Sequence, residues 1–394
     1  MIPNSAGCGR ALYRKVQPII DAVSRSGSGD RYRKHFMTAP HMWLLILHMT
    51  QGARRADGVG GHSLRHSYAR IGADKKLLTR LNMPNWVSFS QLARSSTSRQ
   101  ADSFELLLAH LTSIVKRTPS LCKECKDQDW LFLNKVKALD STFLKLSAKL
   151  SPWSIRGKHS AGVRAQWSLE LATRIPHLVH MHTVEKNDHD TLGELVQADP
   201  NHFAGWTLIV DLGYYGHRQF ERLLACGAHV VSKVHAQAAY TVTEERAVTQ
   251  RKGWTGQEDR VISDQTITLG SPNNRRGAVL TGMRLVRSRS VGVDGQICSL
   301  ITDRFDLQAW EVVALYRKRW QIELFFRWLK RQLGAIRPLG HSREAVWLTM
   351  LVGGIVALLW VLLDQMSARP VGMSRICWLG AVSVAIASII NLSG

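Results

Sequence analysis

Residues 346–363, VWLTMLVGGIVALLWVLL, run for 18 positions without a charge. A run like this can settle in two places. One is a bilayer, whose hydrocarbon layer takes about 17–25 apolar residues to span. The other is a protein core large enough to surround a helix on every side. The pair Gly353-Gly354 interrupts the run in its middle, and the rest of the chain is polar and basic. Both features favour a buried helix packed against a sheet, and no membrane. A chain of 394 residues is long enough for two or three domains and a core of that size.

The stretch just before it, residues 314–331, ALYRKRWQIELFFRWLKR, reads as one helix. Good helix formers fill it, and neither Gly nor Pro appears before Gly334 and Pro338. At roughly 100° per residue, Tyr316, Arg319, Glu323 and Lys330 fall within an arc of about 60°. Arg327 and Arg331 lie near the same stripe, while Ile322, Phe325 and Leu329 lie opposite and suit a core. One carboxylate thus stands on a face of cations and a phenol. One reading is a solvated basic helix with Glu323 paired to Arg319 or Arg327. The other is a metal ligand set beside a nucleic-acid backbone.

The overall charge bears on that choice. Lys and Arg number 52 against 30 Asp and Glu, a net charge of +22 with a pI near 10.2. A polyanionic partner follows, either nucleic acid or an anionic membrane surface. The six cysteines are scattered and the first residues lack an apolar signal core, which together imply a reducing cytoplasm. Cys122 and Cys125 form a CxxC with no companion pair, a weak zinc motif.

In chain order, residues 1–34 read as a basic N-terminal arm with one short helix around 12–23. Residues 35–130 read as a helical DNA-binding domain, with Ser88 as an N-cap and Gln91 three residues on. From residue 131 strands appear. Asp140 stands at the end of an alternating strand, and Asp211 follows the apolar strand WTLIV. In open α/β sheets reactive groups gather at strand ends. Residues 239–304 alternate like strands and read as a β-rich insertion; residues 305–365 return to the core with the Glu323 helix and the apolar helix, and 366–394 form a helical tail. Three converging carboxylates would repel one another unless divalent cations lay between them. Hard oxygen ligands suit Mg²⁺ or Mn²⁺, two ions about 3.5–4 Å apart, for phosphodiester displacement. Asp188, His189 and Asp190 read as a surface turn with an Asp cap, and Asp303 and Asp306 as turn and cap residues. Trp254, an aromatic among basic residues, is a candidate for stacking on an unpaired base or for packing.

The spacing Tyr-x2-Arg-x3-Glu-x6-Lys, with the words LDSTFLKL, IVDLGYYG and YRKRWQIELFFRWLK, resembles bacterial insertion-sequence transposases of the DDE type, in the large family numbered four. The resemblance runs from about residue 88 to 359 and departs at Leu212, where an Arg is frequent. It implies an α/β, RNase H-like catalytic core with a β-rich insertion, preceded by a helical domain and followed by C-terminal helices. It also implies Asp140, Asp211 and Glu323 as catalytic metal ligands, and Tyr316, Arg319, Arg327, Lys330 and Trp254 as DNA contacts. The activity implied is cutting and joining of double-stranded DNA at element ends and target, by a homodimer, with no small-molecule substrate. A nuclease of the same fold without joining, or an inactive DNA-binding protein, is the alternative.

Overall fold

The computed structural model describes residues 5–26, 38–52, 64–81, 83, 86–98, 101–117, 132–156, 160–183, 188–251, 259–271, 278–290, 296–332 and 338–366. Six helices come first: α1 (Ser5–Ser26), α2 (Thr38–Gly52), α3 (Leu64–Gly72), α4 (Lys75–Arg80), α5 (Phe89–Ser98) and α6 (Asp102–Arg117). The first is longer than the helix around 12–23 read from the sequence. Leu12, Val16, Ile20 and Val23 recur at helical spacing and all four are buried, so α1 packs along its whole apolar stripe. The Ser88 hydroxyl accepts the Gln91 N–H at the start of α5, as its cap spacing predicts.

Strands β1 (Val136–Lys145), β2 (Ile155–Arg156), β3 (Ser160–Glu170) and β4 (Pro176–Thr183) follow. Helix α7 (Asp188–Ala198), β5 (Thr207–Val210), α8 (His217–Ala225) and β6 (His229–Lys233) then alternate. Next come β7 (Tyr240–Glu245), β8 (Arg260–Leu269), β9 (Leu280–Arg289) and β10 (Ile297–Thr302). Together they make one ten-stranded sheet, in the order β2-β3-β1-β5-β6-β10-β9-β8-β7 with β4 on β3. Among these strands only β1, β5 and β6 run parallel to one another. The segment 239–304 therefore widens the sheet through β10, which pairs with β6.

The helical course 314–331 is less uniform than its composition predicts. It begins earlier, as α9 (Ala309–Lys318), changes at Arg319 to α10 (Trp320–Arg327), and ends in a π-helical turn, Trp328–Gln332. Gln308 and Glu311 form the capping box that starts α9; Asp303 instead accepts the Val230 N–H, and Asp306 pairs with Arg304. Arg284 on β9 fixes the approach to this helix. Its Nε and Nη2 donate to both oxygens of Asp264 on β8, at 2.8 and 2.7 Å, and its Nη1 donates to the carbonyls of Arg304 and Leu307.

The uncharged run becomes α11 (Arg343–Met366), the one helix among the described residues long and apolar enough to cross a membrane. It is buried inside the protein instead, over 94% of its most apolar window. It touches α1, α2, α5 and α6 on one side and β4 on another. A Cβ at Gly353 would meet Leu329 Cδ1 at 2.7 Å, and one at Gly354 would meet Trp167 Cη2 at 3.3 Å. The two glycines thus let α11 approach the π-helical turn and the sheet closely, which explains their place in mid-run. One core joins α1, α2, α6, α9, α10 and α11 to one face of the sheet; a second lies under α7 and α8 on the other.

Candidate active site

Asp140 and Asp211 are brought level by strand register. Parallel pairing of β1 with β5 runs from Val136 opposite Thr207 to Ala138 opposite Ile209. Continued by two residues, that register sets Asp140 beside Asp211. Asp140 lies in mid-strand, not at a strand end, because β1 carries on past β5 as the antiparallel partner of β3. Its Oδ1 accepts the Ser141 N–H at 2.7 Å. Asp211 caps the short 3-10 turn Leu212–Tyr214, its Oδ1 accepting the Gly213 N–H at 2.8 Å. Lys233 is level with Asp211 by the same reasoning from β5 and β6.

Glu323 comes from α10. Arg319 Nη2 donates to Glu323 Oε1 at 2.5 Å and Nη1 lies 3.4 Å from Asp140 Oδ2. The pairing of Glu323 with Arg319 belongs to the simpler reading of this helix. The reach to Asp140 does not: one guanidinium, only 16% exposed, joins a strand carboxylate to a helix carboxylate, and its own helix lies 179 positions from that strand residue. Ile322, Phe325 and Leu329 are buried on the opposite side, and Phe325 meets the Trp167 ring edge-on at 5.3 Å. This packing sets the helix rotation that turns Glu323 toward the sheet. The Tyr316 ring lies under the Arg319 guanidinium at 5.9 Å and near Lys233 Nζ at 5.7 Å. The π-helical turn changes the angular step at Lys330, yet Lys330 still faces Asp140 electrostatically. Arg327 covers Trp320, an indole 50% exposed, at 5.9 Å.

Burial pushes the Asp140 carboxyl up to about 7; Ser141 and Arg319 pull it back, and the charges of Asp211 and Asp188 add to the rise. Burial is the largest cause of that rise, and the carboxylates around Asp140 offer hard oxygen acceptors. That donor set fits Mg²⁺ or Mn²⁺. Among the described residues, no three His, Cys, Asp or Glu side chains are gathered closely enough to hold a metal ion as they stand. The Arg319 guanidinium stands between Asp140 and Glu323. Burial raises the Tyr316 phenol to about 12 and lowers the Lys330 ammonium.

Asp188 is no simple surface cap. It opens α7, but its carboxylate turns inward to Arg164 at 3.0 Å and Gln166 at 2.9 Å. Sequence spacing gave no signal for this, since Arg164 and Gln166 lie on β3, across the sheet. Lys233 and Trp320 are further side chains at the site that spacing did not single out. Trp254, Cys122 and Cys125 lie outside the described residues.

Residues 132–360 match the family model described as Transposase DDE domain, and the chain belongs to that family. It is 27% identical over 215 residues to "Putative transposase y4zB" of Sinorhizobium fredii, covering 55% of this chain and 57% of that one. It is 22% identical over 228 residues to "Probable transposase for insertion sequence element IS5377" of Geobacillus stearothermophilus, covering 58% and 56%. The chain matches a little over half the length of each relative.

Proposed function

We propose that this chain is a DNA transposase that binds the terminal inverted repeats of an insertion sequence, cuts there, and joins the freed 3′ ends to target DNA. The observation that supports this most is the Arg319 guanidinium held between Asp140 and Glu323, with Asp211 level with Asp140, in a chain of the Transposase DDE domain family. Asp140, Asp211 and Glu323 would hold Mg²⁺ or Mn²⁺. Two such ions would supply activation of the attacking oxygen and stabilisation of the leaving one.

The chain's own side chains hold the strand. Arg319 exchanges its carboxylate partners for phosphate oxygens, whose geometry its planar fork matches. Lys330 adds a half-buried point charge, and Tyr316, protonated well past neutral pH, donates a hydrogen bond. Arg327 with the exposed Trp320 extends the same face. Contacts of this kind fix the backbone and do not read sequence. End recognition then falls to the helices of residues 35–130. In this reading β4, β3, β1, β5 and β6 form an RNase H-like core, and β7–β10, within residues 239–304, are the body of an insertion. A homodimer on DNA in the cytoplasm completes the proposal.

The test is an assay with full-length chain, a duplex element end labelled at the 5′ terminus of the strand to be cut, supercoiled plasmid and Mg²⁺. Cutting at the end followed by joining of the label to plasmid is the expected result. Cutting without joining would make the protein a nuclease, and neither activity would overturn the proposal.

A further inference from the structure

Asp188 is placed where it can tie together the two chain segments that carry Asp140 and Asp211. Its Oδ2 accepts from Arg164 Nη1 at 3.0 Å. The same nitrogen donates to Ser141 Oγ at 3.2 Å, and the Ser141 N–H donates to Asp140 Oδ1. Its Oδ1 accepts from Gln166 Nε2 at 2.9 Å, while Gln166 Oε1 accepts the Tyr214 hydroxyl. Tyr214 ends the turn that Asp211 caps. Gln166 and Tyr214 are fully buried, and the Asp188 side chain is 15% exposed.

The Gln166 amide is committed at both ends. Its oxygen takes the Tyr214 proton, and its nitrogen faces Asp188 and, at 3.4 Å, His182 Nε2. His182 Nδ1 donates to the Thr183 carbonyl at 2.9 Å, and its Nε2 also meets the Thr191 hydroxyl at 3.2 Å. Donors and acceptors match along the two branches Asp188–Arg164–Ser141–Asp140 and Asp188–Gln166–Tyr214. A Cβ built at Gly213 would lie 3.0 Å from Asp211 Oδ1 and 3.7 Å from Asp188 Oδ2, so these two carboxylates flank one point.

We infer that Asp188 is a positioning residue, which sets the spacing of Asp140 and Asp211 for divalent cation through Arg164–Ser141 on one side and Gln166–Tyr214 on the other. The inference rests on the metal-dependent reading given above. It needs a carboxylate at 188, with two acceptor oxygens for two donors. Asn has the same shape but one acceptor, so its amide nitrogen would face Arg164 or Gln166, donor against donor.

The test is Mn²⁺ binding to full-length protein, followed by the spin-resonance signal of free Mn²⁺, with thermal unfolding run alongside. D188N is expected to weaken Mn²⁺ binding about 10–100-fold, the usual effect of losing a residue that orients metal ligands. Adding Q166E should bring binding back to within about threefold of wild type. The amide introduced at position 188 can then donate to the carboxylate introduced at position 166, while its oxygen still accepts from Arg164, and His182 donates from Nδ1 to Thr183 and from Nε2 to position 166. D188N binding Mn²⁺ as wild type does, while D140N loses it, would overturn the inference and leave the metal reading standing. Binding unchanged in D140N would overturn both. A D188N loss that Q166E does not repair would make Asp188 a direct ligand or a folding residue, and would also overturn it.

Discussion

The buried pair Asp264–Arg284 offers a quantitative test of how the sheet governs the candidate site. Both side chains are almost fully enclosed, at 3% and 2% exposure, and their contact is bidentate. Arg284→Met removes two charge-assisted bonds to Asp264 and the donors to the Arg304 and Leu307 carbonyls. Asp264 is then left with Arg246, whose Nε stands 3.7 Å away. Stranding one partner of a buried pair costs about 3–5 kcal/mol. Asp264→Asn keeps one acceptor and sets an amide donor against the guanidinium, so it should cost roughly 2–3 kcal/mol. The double change Asp264→Leu, Arg284→Met should lose less than the sum of its parts by about 1–3 kcal/mol, because no charge is left alone. Urea unfolding measures these values, and amide hydrogen exchange locates them. Residues 304–318, the turn and α9, should exchange faster in Arg284→Met, with α1–α6 unchanged. Single changes each below about 1 kcal/mol, or a fully additive double change, would refute the claim that this pair anchors the approach to the Glu323 helix.

Four further outcomes can be checked. Asp140→Asn or Glu323→Gln should abolish Mg²⁺-dependent cutting of a labelled end while gel-shift binding of that end persists; substantial cutting by either variant would remove the residue from the candidate site. Lys330→Ala and Arg319→Ala should slow single-turnover cutting more than they weaken end binding, and each should flatten the salt dependence of binding by about one unit of slope; normal cutting with an unchanged slope would make this face a solvated surface. Burial alone would raise the Glu170 carboxyl, but the His177 and Thr173 hydrogen bonds and the Lys116 ammonium hold it down at about 2. Its folded pKa is thus below its unfolded one, so its contribution, roughly 3 kcal/mol, is present above about pH 4.5 and fades as pH falls toward 2; Glu170→Gln should flatten stability against pH in that window. Gly353→Ala should cost about 1–3 kcal/mol by pressing on Leu329, measured by thermal unfolding, and a neutral result would show that the close approach of α11 is slack.

Much of this architecture is legible in sequence because it rests on period. Ile322, Phe325 and Leu329 recur on one side of a helix, so the opposite side had to carry Glu323. The apolar strand before Asp211 and the alternation of β8 to β10 follow from the same logic. What period cannot give is register between distant strands. Asp140 looked like a strand end because nothing local reveals that β1 outruns β5. Asp188 looked like a cap because Arg164 and Gln166 reach it from β3. The change at Arg319 and the π-helical turn, where Leu329 lies against Gly353 of α11, leave no mark in a composition that favours a plain helix.

The placing of α11 has a consequence for how the chain is made. This helix fills the middle of the larger core, yet it is the last described element to leave the ribosome. Helices α1, α2 and α6 and strand β4 are all synthesised before the element that buries their inner faces exists. Domains generally fold as units during synthesis. Here the face of the sheet that supports Trp167 and Phe325 stays open until residue 366 is free. Each newly made molecule therefore passes through a stage with a broad apolar surface exposed, and the packing that holds Phe325 and Leu329 is completed only after α11 has emerged. A chain cut short before α11 would keep that surface exposed and would be expected to aggregate.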